Sequence, residues 1–268
     1  MGAESFSLRG GVAAAVLAGS LLLSLPAGDA VAQTIHAGAP VAIGNGTGRV
    51  VVAADAAGQP TSVSVVLSGD SLEGLPTGHD HQRLHEYVLP MPDSGPQTGY
   101  THVGLDWMPQ GHMPDGIYSV AHFDVHFYLV DEAERDGLTF AEAHRAHAHA
   151  APAPELVPAG FVIPPDGAVE RMGLHGLDPS GPEFRGEPFR HAFIYGYYGG
   201  RQVFLEPMVS LDFLRERGDV TLPVPQPAAF TEAGYYPTRY RIGYEPARDE
   251  YRISLAGLRQ QPGVTAAR

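Results

Sequence analysis

Residues 122–130, His-Phe-Asp-Val-His-Phe-Tyr-Leu-Val, alternate apolar and polar side chains with a period of two over most of their length. Aromatic and β-branched residues dominate the run, which predicts a β-strand. Side chains on a strand point to opposite faces in turn, so Phe123, Val125, Phe127 and Leu129 share one face and His122, Asp124 and His126 the other. Shorter apolar runs predict further strands at residues 49–54, 61–67, 86–89, 101–107, 235–244 and 250–255. Residues 191–198 and 201–206 are two aromatic-bearing runs around Gly199-Gly200, a strong hairpin signal. Helical patterning is confined to residues 131–149, 211–217 and a single turn near 71–75. Many strands separated by turns predict a mainly β protein, an antiparallel sandwich or barrel with a few short helices.

The N-terminus reads differently. Arg9 precedes an uncharged Ala/Leu-rich run at residues 10–25, and Ala30-Val31-Ala32 is a small-x-small cleavage pattern before Gln33. That layout predicts a signal peptide over 1–32, and the apolar run is short for a membrane span. The expected organisation is a signal peptide (1–32), a flexible N-terminal arm (33–48), a single mainly β domain (49–257) and a disordered tail (258–268). The expected location is periplasmic or extracellular.

Composition narrows the chemistry. Removing Arg9, Glu4 and Asp29 with the signal leaves 16 basic and 28 acidic residues, a formal charge of −12. An acidic chain is a poor partner for nucleic acid or for an anionic membrane surface. The chain has neither Cys nor Lys. Thiolate nucleophiles, disulfides, Cys-held clusters, Lys Schiff bases and a standard P-loop are therefore excluded. No Gly-x-Ser-x-Gly motif is present.

Two imidazoles flanking a carboxylate on one strand face suit a metal ion or proton transfer. At about 3.3 Å per residue His122 and His126 lie roughly 13 Å apart on a straight strand. That is too far for one ion, so Asp124 with one His is the natural unit, unless a bulge brings both together. Asp124 can also serve behind a ligating imidazole as its hydrogen-bond acceptor. For the hairpin, a two-residue Gly-Gly turn pairs Tyr198 with Arg201, and His191 then lies opposite Met208. His191 and Glu206 become neighbours on one face, whereas a slip of one residue separates them. The composite expectation is a metal site of His122, Asp124, His126, His191 and Glu206, with His112 and His175 as reserve ligands. The suited ions are Zn, Fe, Mn or Cu. His144, His147 and His149, flanked by Ala, read as an exposed helix end; His79, His81 and His85 lie in a polar loop.

Several stretches together resemble a family of exported bacterial proteins carrying a domain of unknown function. They are residues 105–112 (Leu-Asp-Trp-Met-Pro-Gln-Gly-His), 122–128, 172–175 (Met-Gly-Leu-His), 194–197 (Ile-Tyr-Gly-Tyr) and 204–208 (Phe-Leu-Glu-Pro-Met). The likeness spans roughly residues 49–255. Met108 and Gly176 depart from the family pattern, which usually has Asn and an aromatic residue there. The resemblance implies an exported, mainly β domain and no established activity, and it directs attention to the same His and carboxylate positions. The close His-x-His…Glu spacing of cupins is absent.

The functional expectation is an exported soluble protein with a His/carboxylate metal site, in its stronger form a metal-dependent enzyme acting on a small molecule of unknown kind. The competing expectation is a non-catalytic structural or binding protein, a homo-oligomer among the options, in which the His and Asp side chains form a metal-free network.

Overall fold

In a computed structural model that describes residues 1–2, 33–78, 85–164 and 167–264, the chain forms two open antiparallel sheets of seven strands each. The first sheet contains β1 (Thr34–Ala37), β2 (Val41–Ile43), β3 (Gly46–Ala54), β4 (Pro60–Ser68), β12 (Val220–Pro223), β14 (Arg239–Glu245) and β15 (Glu250–Ala256). Its order is β1-β3-β4-β15-β14-β12, with β2 also on β3. The second contains β5 (His85–Pro90), β6 (His102–Met108), β7 (His122–Tyr128), β8 (Ala168–Val169), β9 (Gly173–Gly176), β10 (His191–Tyr198) and β11 (Arg201–Ser210). Its order is β5-β6-β7-β11-β10-β9-β8. A small ribbon pairs β13 (Gly234–Tyr236) with β16 (Arg259–Gln261). This is the expected mainly β, antiparallel class with a few short helices.

The main core lies between the two large sheets. Val50, Val52, Val63, Val65, Ile253 and Leu255 from the first sheet pack with Val103, Leu105, Phe123, Val125 and Phe127 from the second. Each fully buried Val, Leu or Phe contributes about 1.5–3 kcal/mol of transfer free energy. The second sheet is also covered on its other side. There Tyr118, Val130, Leu138, Ala148, Met172, Leu177 and Phe189, from the segments after β6, β7, β8 and β9, pack on Tyr128, Ile194, Val203, Phe204 and Met208. Every residue of β7 is consequently buried.

Three elements differ from the sequence expectation. Residues 131–149 do not form one helix: α1 (Glu132–Asp136) is capped by Asp131, whose side chain accepts from the Glu134 N–H, and ends at Gly137. Thr139 and Phe140 then run without helix, and α2 (Arg145–Ala148) is a single turn. Strands occupy part of the expected flexible arm, because β1 and β2 both hydrogen-bond to β3. Likewise β16 lies within the expected disordered tail, held by β13. The expected signal peptide (residues 3–32 of it), the loop positions His79 and His81 and the last four residues lie outside the described residues. Among the described residues no helix is long and apolar enough to cross a membrane.

Candidate metal centre

Seven titratable side chains meet on the face of the second sheet that turns away from the main core. Asp106 comes from β6, His122, Asp124 and His126 from β7, and Glu206 from β11. The β6–β7 register sets Asp106 opposite Asp124 and Met108 opposite His122. The β7–β11 register pairs Leu205 with Phe127 and Met208 with Asp124, which brings Glu206 alongside His126. His175 arrives from β9 and His112 from the loop after β6.

These side chains fall into two groups of the right type and spacing to hold a metal ion. In one, ligand atoms of His112, His122 and Asp124 lie within 4.8 Å of one another; in the other, those of His126, His175 and Glu206 do. Each group is two imidazoles and one carboxylate. His122 and His126 thus belong to different groups, as their spacing on a strand requires.

The imidazoles share one orientation. Nδ1 of His112 donates to the Met113 carbonyl (2.6 Å), Nδ1 of His122 to the Val120 carbonyl (2.7 Å) and Nδ1 of His175 to the Gly167 carbonyl (3.0 Å). A carbonyl only accepts, so the proton is on Nδ1 and Nε2 carries the lone pair in the neutral ring. His126 likewise turns Nδ1 toward an acceptor, Asp106 Oδ2 at 3.2 Å, and Nε2 toward Glu206 Oε2 at 3.6 Å. His175 Nε2 is 3.9 Å from the same Glu206 oxygen. In the first group His122 Nε2 is 3.0 Å from Asp124 Oδ1, and His112 Nε2 is 3.2 Å from Asp124 Oδ2. Of these contacts only His112–Asp124 has hydrogen-bond geometry. Nε2 of His122, Oδ1 of Asp124, both nitrogens of His126 and Oε2 of Glu206 are buried and form no hydrogen bond within the protein. Buried polar atoms seldom go unpaired, because each costs about 1–3 kcal/mol.

Burial and mutual charge set the protonation of the metal-free groups. Burial opposes charge on His126, but Glu206 and Asp106 outweigh it and push this imidazole up to about 9. Burial likewise opposes charge on His112, and Asp124 pushes it up to about 9. Burial, with Asp124 and Asp106 adding like charge, pushes Glu206 up to about 8 against the pull of His126 and His112. Asp124 is driven the other way: burial favours its neutral form, yet His122 and His112 hold it well below the usual carboxylate range. His175 falls to about 4, through burial and then the charge of His126.

His112, Asp124, His126, His175 and Glu206 line a cavity of about 350 Å³. Its remaining wall is largely apolar and includes Trp107, Met108, Met113, Met172, Leu177 and Ile194. Small-molecule sites commonly combine such walls with a few polar groups.

Six of the seven expected ligands converge here: His112, His122, Asp124, His126, His175 and Glu206. His191 does not. The turn at Gly199-Gly200 pairs Tyr198 with Arg201 as expected, with φ of 59° and 79° at the two glycines. A β-bulge between Gly196 and Tyr197 then shifts the register by one, so His191 lies opposite Val209 rather than Met208. A one-residue shift exchanges faces. His191 accordingly points to the other side, where its Nδ1 meets the Tyr240 hydroxyl at 3.2 Å and its ring packs on Phe213. Asp106 was not among the expected residues. Its signal was the same alternation seen in β7: Val103, Leu105 and Trp107 on one face of residues 101–107, and His102 and Asp106 on the other.

The fold and the site together define a two-sheet β protein with paired His/carboxylate groups under one cavity. Residues 55–107 match the family model described as TTHB210-like, hypothetical protein TTHB210, an uncharacterised family. The matched stretch runs through β4 and β5 to Asp106 and Trp107 of β6 and stops before the first histidine of the site. No curated protein and no solved structure matches the chain.

Proposed function

We propose that this protein is an exported metal-binding protein in which His126, His175 and Glu206 hold a divalent transition metal facing the cavity, and that the metal acts on a small molecule admitted there. The observation that carries this reading is the set of buried, unpaired atoms: His126 Nε2 and Glu206 Oε2 face each other without a hydrogen bond. Two electron-rich atoms so placed need a proton or a cation between them, and a cation also satisfies His175. All three side chains line the cavity, which supports an open coordination position. A cation held by two imidazoles and a carboxylate can activate water or oxygen; Zn, Fe, Mn and Cu all accept this donor set.

The test is elemental analysis of untagged protein, as purified and after reconstitution with each of the four ions, beside Glu206→Gln. Near-stoichiometric metal lost in the variant supports the reading. Wild-type protein that takes up none of the four ions sinks it.

A metal-free reading has one observation in its favour, the His112–Asp124 hydrogen bond, which a polar network would supply. The protein would then be a structural or binding protein, and the same elemental analysis separates the two. Export rests on the apolar run at residues 10–25 and the Ala-Val-Ala pattern. Its check is the intact mass of the protein recovered from outside the cytoplasm of a bacterial host, with a chain starting at Gln33 expected. A chain that stays inside at full length counts against export.

A further inference from the structure

We propose that His112, His122 and Asp124 form a second cation site whose role is to fasten the cavity wall, so that the centre holds two cations with different tasks. This rests on the metal reading above for the neighbouring group and extends it.

The first observation is again one of unpaired atoms. His122 donates its Nδ1 proton to Val120, which turns the Nε2 lone pair toward Asp124 Oδ1 at 3.0 Å. Both atoms are buried and neither is hydrogen-bonded. In the neutral ring that lone pair faces a carboxylate oxygen, which is repulsive until a proton or a metal cation lies between them. His112 brings a second Nε2 to the other oxygen of the same carboxylate. The donor set is two imidazoles and one carboxylate, the chemistry of a first-row transition metal.

The second observation is where the ligands sit in the fold. His122 and Asp124 belong to the interior strand β7 and are almost completely buried, so they are fixed by the sheet. His112 lies on the loop between β6 and β7, and it is the partly exposed member. That loop supplies Pro109, Gly111, Met113, Pro114 and Tyr118 to the cavity wall. A cation bridging His112 to β7 therefore ties the wall to the sheet. In the other group, all three ligands come from strands: His126 from β7, Glu206 from β11 and His175 from β9.

The third observation is separation. Asp124 and His126 are two residues apart on one strand face, about 6–7 Å along the backbone, and the two groups share no ligand. Two-metal catalytic pairs that share one bridging atom lie about 3.5–4 Å apart. Two separate ligand sets, with no shared carboxylate, fit one cation that fastens and one that faces the cavity.

The experiment is metal titration of the chelator-stripped full protein with Zn(II), and with Co(II) for its visible spectrum, followed by limited proteolysis. Wild-type protein is expected to bind two equivalents, His112→Ala one and Glu206→Gln one. Cleavage between residues 109 and 121 is expected to accelerate at least several-fold on stripping the wild type and in loaded His112→Ala, and to stay slow in loaded Glu206→Gln. His112 is partly exposed and on a loop, so its removal spares the sheet. One equivalent in the wild type, unaffected by His112→Ala and abolished by Glu206→Gln, overturns the second site while keeping the first; His112 and Asp124 are then an ion pair only. Two equivalents in His112→Ala, or cleavage that does not respond to it, also overturn the proposal. No metal in the wild type overturns this proposal together with the proposed function.

Discussion

Asp106 Oδ2 lies 3.2 Å from His126 Nδ1, and both side chains are about 1% exposed. The carboxylate stands behind the imidazole, on the side away from Glu206. Such a partner fixes the ring's orientation and raises its basicity toward a metal, and its loss typically costs 10–100-fold in metal affinity. Asp106→Asn is therefore expected to weaken metal binding at the His126 group by about 10–100-fold, read by competition with a chromophoric chelator. The His112 group, to which Asp106 makes no hydrogen bond, should be far less affected. An unchanged affinity at both groups would remove Asp106 from the metal centre.

Metal binding should release protons, and its affinity should rise with pH. In the metal-free fold His112 and His126 carry values of about 9 and Glu206 about 8. All three are above their ordinary values of 6.5 and 4.5, so at these three groups the fold holds protons that the unfolded chain would release. The stability from the two histidines is fully present below pH 6.5 and is lost as pH rises through 9. The protonation preference of Glu206 has the same sign, acting from 4.5 to 8. Metal-free protein should thus lose stability between pH 6.5 and 9, while metal-loaded protein, its ligands already deprotonated, should hold its Tm. Calorimetry in buffers of different ionisation enthalpy reads the released protons directly. No proton release near pH 7 would mean that these groups do not bind the ion.

His191→Ala should leave metal content unchanged, because the bulge at Gly196 turns His191 to the Tyr240 and Phe213 side. The cost should instead appear as stability, about 1 kcal/mol from the lost hydrogen bond and packing. Denaturant unfolding and elemental analysis of one preparation check both halves. Loss of metal with no change in stability would contradict this placement.

Gly196→Ala should damage both fold and site. A Cβ there would run into the Phe204 ring, and that ring packs edge-on to His126 with centroids 4.8 Å apart. Overpacking of this kind costs about 1–3 kcal/mol. The displaced ring should also lower metal affinity, since His175 lies against it as well, at 5.3 Å. A variant with wild-type midpoint and wild-type metal affinity would show that Phe204 does not hold the imidazoles.

Much of this was legible in the sequence, and the exceptions have definite causes. The alternation in residues 122–128 placed three site residues on one face and three core residues on the other, because β7 pairs with β6 without a bulge and is buried on both sides. The same alternation in residues 102–107 held Asp106 in view, but one carboxylate among apolar neighbours carries little signal without its partner strand. The hairpin turn was legible from Gly199-Gly200, yet the register beyond it was not. The register shifts just after Gly196, and the Phe204 ring across the ladder occupies the space that a Cβ at Gly196 would need. Nor could spacing along the chain show that His112 and His175 arrive from a loop and a short strand, since only the fold brings them within reach of β7 and β11.

Because β7 has no exposed residue, it faces two interiors that must be filled at once. Phe123, Val125 and Phe127 serve an oily interior, while His122, Asp124 and His126 serve a charged one. A change on either side moves the same backbone, so repacking an aliphatic position can detune a ligand on the opposite face. This strand should therefore tolerate little substitution even where a side chain never meets an ion. The loop that brings His112 can vary in length and composition as long as it returns one imidazole to the sheet. Random mutagenesis scored by metal retention would trace that contrast, with sensitive positions running unbroken along β7 and isolated ones in the loop.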